Sequence, residues 1–375
     1  MIFLLLQLVS INLFTRYDIS TVEIKTEEVS ILVKNKIKYN LSTKNRRKTK
    51  KFTIILTKNE IKDKKYNFFL KNGSIKINNK QKRYYNGEIQ IFQKNKKLYI
   101  VQKLPLEDYV IRVINAEIGV NYSNEMIKAF YLVVKNYTIS NLRRHRKIDS
   151  DLCDITHCQL YYGESKKNNI KLIENIVKDV KDELICYDKK KIKTVYSAIC
   201  GPKRNSSKSL WKREYPYLKK GENRYNGIYL AENSKSYSWI YRVSKKDILK
   251  NLKIKNLQIK ESKDGYVSQI EYLKLKKIKT LQTTLNKTEY IYKKEIIDAQ
   301  KFKRVIGHTF GWGKLKSLQF KLYEDEENYI FKGYGSGNGV GFCIAEAENL
   351  AKLNLSYKDI IKFFFYNVYI SKSCK

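Results

Sequence analysis

Four metal-ligating side chains fall within one short segment of this chain: His145, Cys153, His157 and Cys158, spaced H-x7-C-x3-H-C. Only three histidines and six cysteines occur in 375 residues, so this crowding is a strong local signal. Two thiolates and two neutral imidazoles make a tetrahedral Zn²⁺ set. Four protein ligands close that sphere, so the expected metal is structural. Any fold of this chain must therefore turn the segment back on itself. The competing expectation is a Cys153–Cys158 disulfide, which an oxidising compartment would favour. Cys186 and Cys200 lie on two strands of a predicted hairpin and form a second disulfide candidate. Cys343 and Cys374 have no role legible in the sequence.

The hydrophobic pattern predicts an α+β chain, mixed, with a β-rich N-terminal region and a core in which a few helices pack on strands. The apolar run over residues 1–14 resembles the core of a secretory signal without its usual basic flank, and it is short for a membrane span. Residues 1–19 are therefore expected to be a signal or N-terminal anchor; a buried first strand is the alternative. Residues 20–103 read as short strands, including VSILV, FTIIL, SIKI, EIQIF and LYIV. Asn72-Gly73 and Asn86-Gly87 are read as turns between them. Residues 106–143 change to helical period, with Ser123 as an N-cap and Glu125 in the first turn. A second helix is expected near 168–182, a hairpin over 184–201, and a β-rich insertion or subdomain over 239–330 within a core of 104–375. A Gly-rich loop, 333–341, precedes helices near 343–353 and 357–364.

The formal net charge is +39, from 76 Lys and Arg against 37 Asp and Glu. That suits a polyanionic surrounding, either nucleic acid or an anionic cell envelope. A compositional bias towards Lys, Asn, Ile and Tyr would produce the same charge without any partner. The bases are scattered rather than striped, the His/Cys spacing is wrong for a zinc finger, and no basic helix stands out. A nucleic-acid partner is therefore not expected, and a basic nucleic-acid-binding protein is kept only as an alternative class.

Several blocks, in order along the chain, resemble the SpoIID/LytB family, the sporulation-protein-D-like peptidoglycan lytic transglycosylases and amidase enhancers. They are Leu104–Tyr109 (LPLEDY), Ala116-Glu117, Glu125-Met126-Ile127-Lys128-Ala129, and Cys153-Asp154-Ile155-Thr156-His157-Cys158-Gln159-Leu160-Tyr161. Tyr196–Gly201, Trp211 with Pro216-Tyr217-Leu218, and the terminal glycine block around Asn338 follow. The ordered set spans roughly residues 84–371, and the C-D-x-x-H-C block is its most specific member. Departures exist. Asn338 stands where the family has His, Ile344 where it has Gln, Phe130 for Gln, Lys135 for Arg, and Pro202 for a second Gly.

The resemblance implies a SpoIID-like catalytic core with Glu117 as catalytic acid. Glycosidases normally pair two carboxylates. A lytic transglycosylase works with one, because the 6-hydroxyl of muramic acid attacks its own anomeric carbon. The single carboxyl protonates the bridging oxygen and then takes the hydroxyl proton, so it must start protonated. Ile114, Ile118 and Val120, together with a position in the last turn of a helix, would favour that state. Glu107 and Asp108 are more naturally first-turn charges. Lys128 and Lys135, seven apart, share a helix face and could meet lactyl carboxylates. Trp211 and Tyr217 could stack on sugar rings, and Asn338 could hydrogen-bond the glycan; for each, an ordinary structural role competes. The expected protein is exported to the periplasm or cell wall, touches membrane only through its N-terminus, and acts on peptidoglycan glycan strands. The alternative is a non-catalytic wall-binding enhancer that partners a cell-wall amidase.

Overall fold

The computed structural model describes residues 7–33, 36–42, 52–61, 65–164, 167–279 and 288–374. The chain divides into two compact units, Met1–Thr194 with Tyr369–Lys375, and Val195–Val368.

The first unit is built on one large sheet. Its strands are β1 (Leu8–Leu13), β2 (Thr21–Thr26), β3 (Glu28–Val33), β4 (Lys36–Ser42), β5 (Phe52–Thr57), β6 (Lys65–Ile77), β7 (Gln81–Lys94), β8 (Lys97–Pro105) and β9 (Leu152–Cys153). The path runs β4-β3-β6-β7-β8-β1-β9, while β2 pairs with both β5 and β6. The apolar run at the start of the chain is thus put to structural use. Val9, Ile11 and Leu13 alternate into the core, and β1 lies antiparallel to β8 and parallel to β9. A leader cleaved beyond this point would strip a strand from between two neighbours.

The Asn-Gly pairs are not turns. Asn72-Gly73 lies inside β6 and Asn86-Gly87 inside β7, where the register shifts between Leu70 and Gly73. Asn72 adopts φ 48° and Gly87 φ 87°, and the Asn72 N–H donates to Asn86 Oδ1 at 2.7 Å. Left-handed residues here make a bulge in two long strands rather than two ends. The real hairpin turns are Asn78-Asn79 and Asn95-Lys96, each with two successive positive φ values, the twist a tight hairpin requires.

β8 runs directly into a helical layer. After the short α1 (Lys58–Ile61), this layer holds α2 (Leu106–Glu117), α3 (Asn124–Ser140) and α4 (Lys167–Val177). Every residue of α3 from Met126 to Ile139 is buried except Lys128, so it is a central helix rather than an amphipathic surface one. Burying side chains such as Phe130 and Leu132 contributes about 2 kcal/mol each. The expected hairpin over 184–201 is only partly formed. β10 (Leu184–Tyr187) turns into β11 (Lys190–Lys191), but Tyr196-Ser197 departs into the second unit to pair with Phe342-Cys343. Cys186 and Cys200 are accordingly not partners. Cys186 bonds Cys374, and Cys200 bonds Cys343, with Cα separations of 5.6 and 5.7 Å. The strand Tyr369–Ser371 pairs with β10, which sets the first of these bonds.

The second unit has its own core around Trp239, Phe302, Phe320 and Phe331. It holds a three-stranded antiparallel sheet of Ser238–Ser244, Asn328–Tyr334 and Gln319–Glu324, and a second of Ile254–Lys263, Tyr266–Lys279 and Thr288–Asp298. The helices after the glycine loop are Ile344–Lys352 and Tyr357–Phe364. Among the described residues no helix is long and apolar enough to cross a membrane.

Candidate active site

In the first unit the segment after α3 folds back on the end of β1. Asp151 accepts from the Ser10 N–H (2.9 Å), the Ser10 hydroxyl (2.7 Å) and the Arg143 N–H (2.8 Å). Asp154 is fully buried and accepts from the N–H groups of Phe14 (2.7 Å) and Thr15 (3.1 Å) and from Arg83 (2.6 Å). A buried carboxylate held by a guanidinium and two amides is well compensated, and loss of any donor would leave it costly. Two acids thus clamp the segment to β1.

The clamp brings the four candidate ligands together. The ligand atoms of His145, Cys153, His157 and Cys158 all lie within 4.8 Å of one another. His145 Nε2 is 3.2 Å from Cys158 Sγ, and His157 Nδ1 is 3.6 Å from Cys153 Sγ and 3.5 Å from Cys158 Sγ. Around zinc, with bonds of about 2.3 Å to sulfur and 2.0 Å to nitrogen, neighbouring S and N ligands stand about 3.6 Å apart. The donor set therefore fits a tetrahedral divalent ion with all four positions taken by protein. Both cysteines are buried free thiols. Hydrogen bonding from Cys158, and then from His157, holds the Cys153 thiol below its ordinary value against the opposing effect of burial. The same partnership, with burial, pushes Cys158 up.

Glu117 is the last residue of α2 and is half-buried. Its Oε1 accepts the N–H of Leu160 at 2.9 Å. Leu160 lies two residues beyond Cys158, so the clustered loop directly orients the candidate acid. Ile114 is fully buried beside it, while Ile118 and Val120 are half-buried. Behind the loop, Gln159 Oε1 accepts from Thr138 (2.9 Å) and Tyr109 (3.3 Å), and the Tyr161 hydroxyl donates to Gln102 (2.7 Å). The C-D-x-x-H-C-Q-x-Y block is thereby accounted for: one ligand, a clamp, two more ligands, a core amide and a core ring.

One comparison with known proteins falls on this region. The family model for SpoIID, described as stage II sporulation protein, matches residues 94–187. This segment carries the likeness to the SpoIID family. Proteins of this family are associated with the cell envelope and sporulation. The chain is 27% identical over 134 residues to stage II sporulation protein D of Bacillus amyloliquefaciens, covering 32% of this chain and 38% of that protein. It is also 24% identical over 273 residues to an uncharacterised protein of Brachyspira hyodysenteriae, covering 72% of this chain and 68% of that one. The SpoIID match contains Glu117 and all four clustered ligands.

The other sequence candidates fare unevenly. Lys135 faces the backbone of its own unit. It is 3% exposed, and its ammonium donates to the carbonyls of Lys181 and Glu183, the latter at 3.2 Å. Burial pulls its pKa down to about 8. The seven-residue spacing put it on the Lys128 face, but α3 is enclosed, so that face is interior at one end. Lys128 is half-buried and pairs with Glu125 at 3.0 Å. Glu107 and Asp108 are first-turn charges of α2, and Asp108 also meets Arg112 at 3.6 Å.

In the second unit, Trp211 is 41% exposed at the end of the helix Ser207–Trp211, whereas Tyr217 is 8% exposed and has little ring face to offer a sugar. Asn338 serves its own loop. Its Oδ1 accepts from the Ser197 hydroxyl (3.1 Å) and the Val340 N–H (2.8 Å). The glycines there give close approach to the protein itself. A Cβ on Gly339 would sit 2.1 Å from Tyr266 Oη, and one on Gly337 2.7 Å from Ser197. Glu346, not anticipated, is fully buried. Its Oε1 accepts from Cys200 (2.9 Å) and Gly201 (3.1 Å), while Oε2 has no hydrogen-bond partner among the described residues. Burial raises its pKa to about 7. Its place three residues after Cys343 and four before Leu350, on the apolar stripe of its helix, was the available signal.

Proposed function

We propose that this chain is an exported lytic transglycosylase of peptidoglycan, with Glu117 as its general acid and base. The observation that carries the reading is the Leu160 N–H bond to Glu117 Oε1, which ties a half-buried acid at a helix end to the His/Cys loop inside the SpoIID match. The reaction needs one carboxyl. Glu117 gives its proton to the bridging oxygen as the bond from the muramic anomeric carbon breaks. The 6-hydroxyl of the same sugar closes on that carbon and returns its proton to Glu117, leaving a 1,6-anhydro end and consuming no water.

His145, Cys153, His157 and Cys158 would hold Zn²⁺, and a closed sphere of this kind supplies rigidity rather than a reactive water. Their part is to fix the 157–160 turn against the end of α2. The two disulfides support export, since such bonds persist in oxidising compartments. A metal on Cys153 and Cys158 would also protect that thiol pair from oxidation there.

The test is digestion of purified peptide-stripped glycan, with mass spectrometry for anhydromuramyl ends. Wild-type protein should release them, and reducing ends alone, or no release, would defeat the reading. The amidase-enhancer alternative draws on Asn338 and Ile344. The first spends its amide oxygen on its own loop, and the second is a buried apolar residue. Stimulation of an amidase by a chain that releases no anhydro ends would select it.

A further inference from the structure

The first unit carries a cavity whose lining includes His145 of the candidate metal cluster but not the candidate acid Glu117. It has a volume of about 480 Å³ and lies between the end of β1, the start of β8 and the turn at Arg146–Ile148. Its floor is apolar: Leu13, Phe14, Ile19 and Leu98 are each no more than 3% exposed. Tyr17 and Tyr99 add half-buried rings. Its rim is cationic, formed by Lys97, Arg144, Arg146 and Lys147, and no Asp or Glu lines it. Asp18 and Asp149, neighbours in sequence, stay outside the lining.

Among the described residues none of the four rim cations has a carboxylate partner. Arg144 spends its donors on Tyr137 Oη (3.0 Å) and Asn141 Oδ1 (3.4 Å). Lys97, Arg146 and Lys147 are exposed. The sequence spreads its bases along the whole chain; the fold gathers these four around one concavity. Like charges so placed repel one another, and an anion relieves that repulsion. Guanidinium and ammonium groups together suit the oxygens of a phosphate, and aromatic rings beside them suit a sugar or polyol body.

We infer that this cavity binds the phosphate groups of a polyol- or sugar-phosphate polymer of the cell envelope, holding the protein on the wall through residues other than Glu117. The full chain is tested against immobilised poly(glycerol phosphate) at about 50 and 200 mM salt, with peptide-stripped glycan, single-stranded DNA and phosphatidylglycerol vesicles alongside. Wild type should bind the polyol phosphate in preference to the other three, and glycerol phosphate should compete where glycerol does not. The triple variant Lys97→Ala/Arg146→Ala/Lys147→Ala should lose about tenfold or more in affinity. The charge-matched variant Lys171→Ala/Lys178→Ala/Lys189→Ala, at exposed lysines elsewhere in this unit, should change by less than about twofold. The exchange Lys97→Arg/Arg146→Lys/Lys147→Arg should keep binding, which separates a lost site from a lost fold. Equal losses in the two alanine variants, absence of binding, or preference for DNA, vesicles or uncharged glycan would overturn the inference. Release of anhydro ends from phosphate-free glycan should be unchanged by the rim variant, so failure here is distinguishable from failure of the catalytic reading.

Discussion

Each unit holds a glutamate bonded to backbone amides close to a pair of cysteines, and the two arrangements differ in what they leave available. In the first, Cys153 and Cys158 are free thiols beside two imidazoles, and Glu117 is half-buried with Oε1 accepting from the Leu160 N–H. In the second, Cys200 and Cys343 are bonded to each other, and Glu346 is sealed from solvent with Oε1 on two N–H groups. The same residue types therefore leave an accessible acid in one place and form a sealed fastening in the other. Burial decides which. A proton donor must reach a substrate, and only Glu117 has exposed surface with which to do so.

The largest effect should come from removing the thiols of the first unit. Cys153→Ser/Cys158→Ser should lower bound zinc from near one per chain to near zero, withdrawing a binding free energy on the order of 10 kcal/mol from that loop. Hydrogen exchange should then show the Leu160 amide losing protection while those of Cys200 and Gly201 keep theirs. Equal loss in both places would break the comparison. Acid should mimic this variant, because thiolate and imidazole ligands must be deprotonated to bind metal.

Next in size is the fastening itself. Cys200→Ser/Cys343→Ser opens a loop with a sequence separation of 143 residues. The chain-entropy model gives about 5 kcal/mol for such a loop, with engineered cases nearer 2–4. Denaturant titration should show that loss without any change in zinc content.

Glu346 sharpens the contrast through pH. Its pKa is raised to about 7 from 4.5, so the folded chain holds a proton that the unfolded chain has released in between. The stability this provides is complete below about pH 4.5 and is lost as pH rises through about 7. Glu346→Gln keeps an acceptor for the two amides and should remove that slope, leaving the variant more stable than wild type at pH 8 by on the order of 3 kcal/mol. An unchanged slope in the variant would assign the pH dependence elsewhere. The smallest effect is expected at Lys135. Lys135→Met should leave glycan binding within about twofold of wild type, since its ammonium points at carbonyls of its own chain.

Much of the first unit was legible because its signals are local. Strand alternation, the helical period from residue 106, and the dense His/Cys spacing each depend on neighbours in sequence. The cysteine partners were not legible, because Cys186 and Cys374 stand 188 residues apart and only the pairing of Tyr369–Ser371 with β10 brings them together. The apolar start was ambiguous for a related reason. The run reads in sequence first as a leader and only second as a strand, and residues 8–13 form β1 between β8 and β9. Asn-Gly misled because positive φ serves bulges as well as turns. Lys135 misled because periodicity assigns a face but does not say how completely a helix is enclosed. Leu160 contributes only its backbone N–H, which no residue pattern could single out.

The central claim is that Glu117, and not the sealed Glu346, moves the proton. The direct measurement is the initial rate of anhydromuramyl-end release from peptide-stripped glycan by Glu117→Gln and Glu346→Gln, each confirmed folded and zinc-loaded. Glu117→Gln should fall by roughly a thousandfold, while Glu346→Gln stays within about twofold of wild type. Undiminished release by Glu117→Gln would contradict the account.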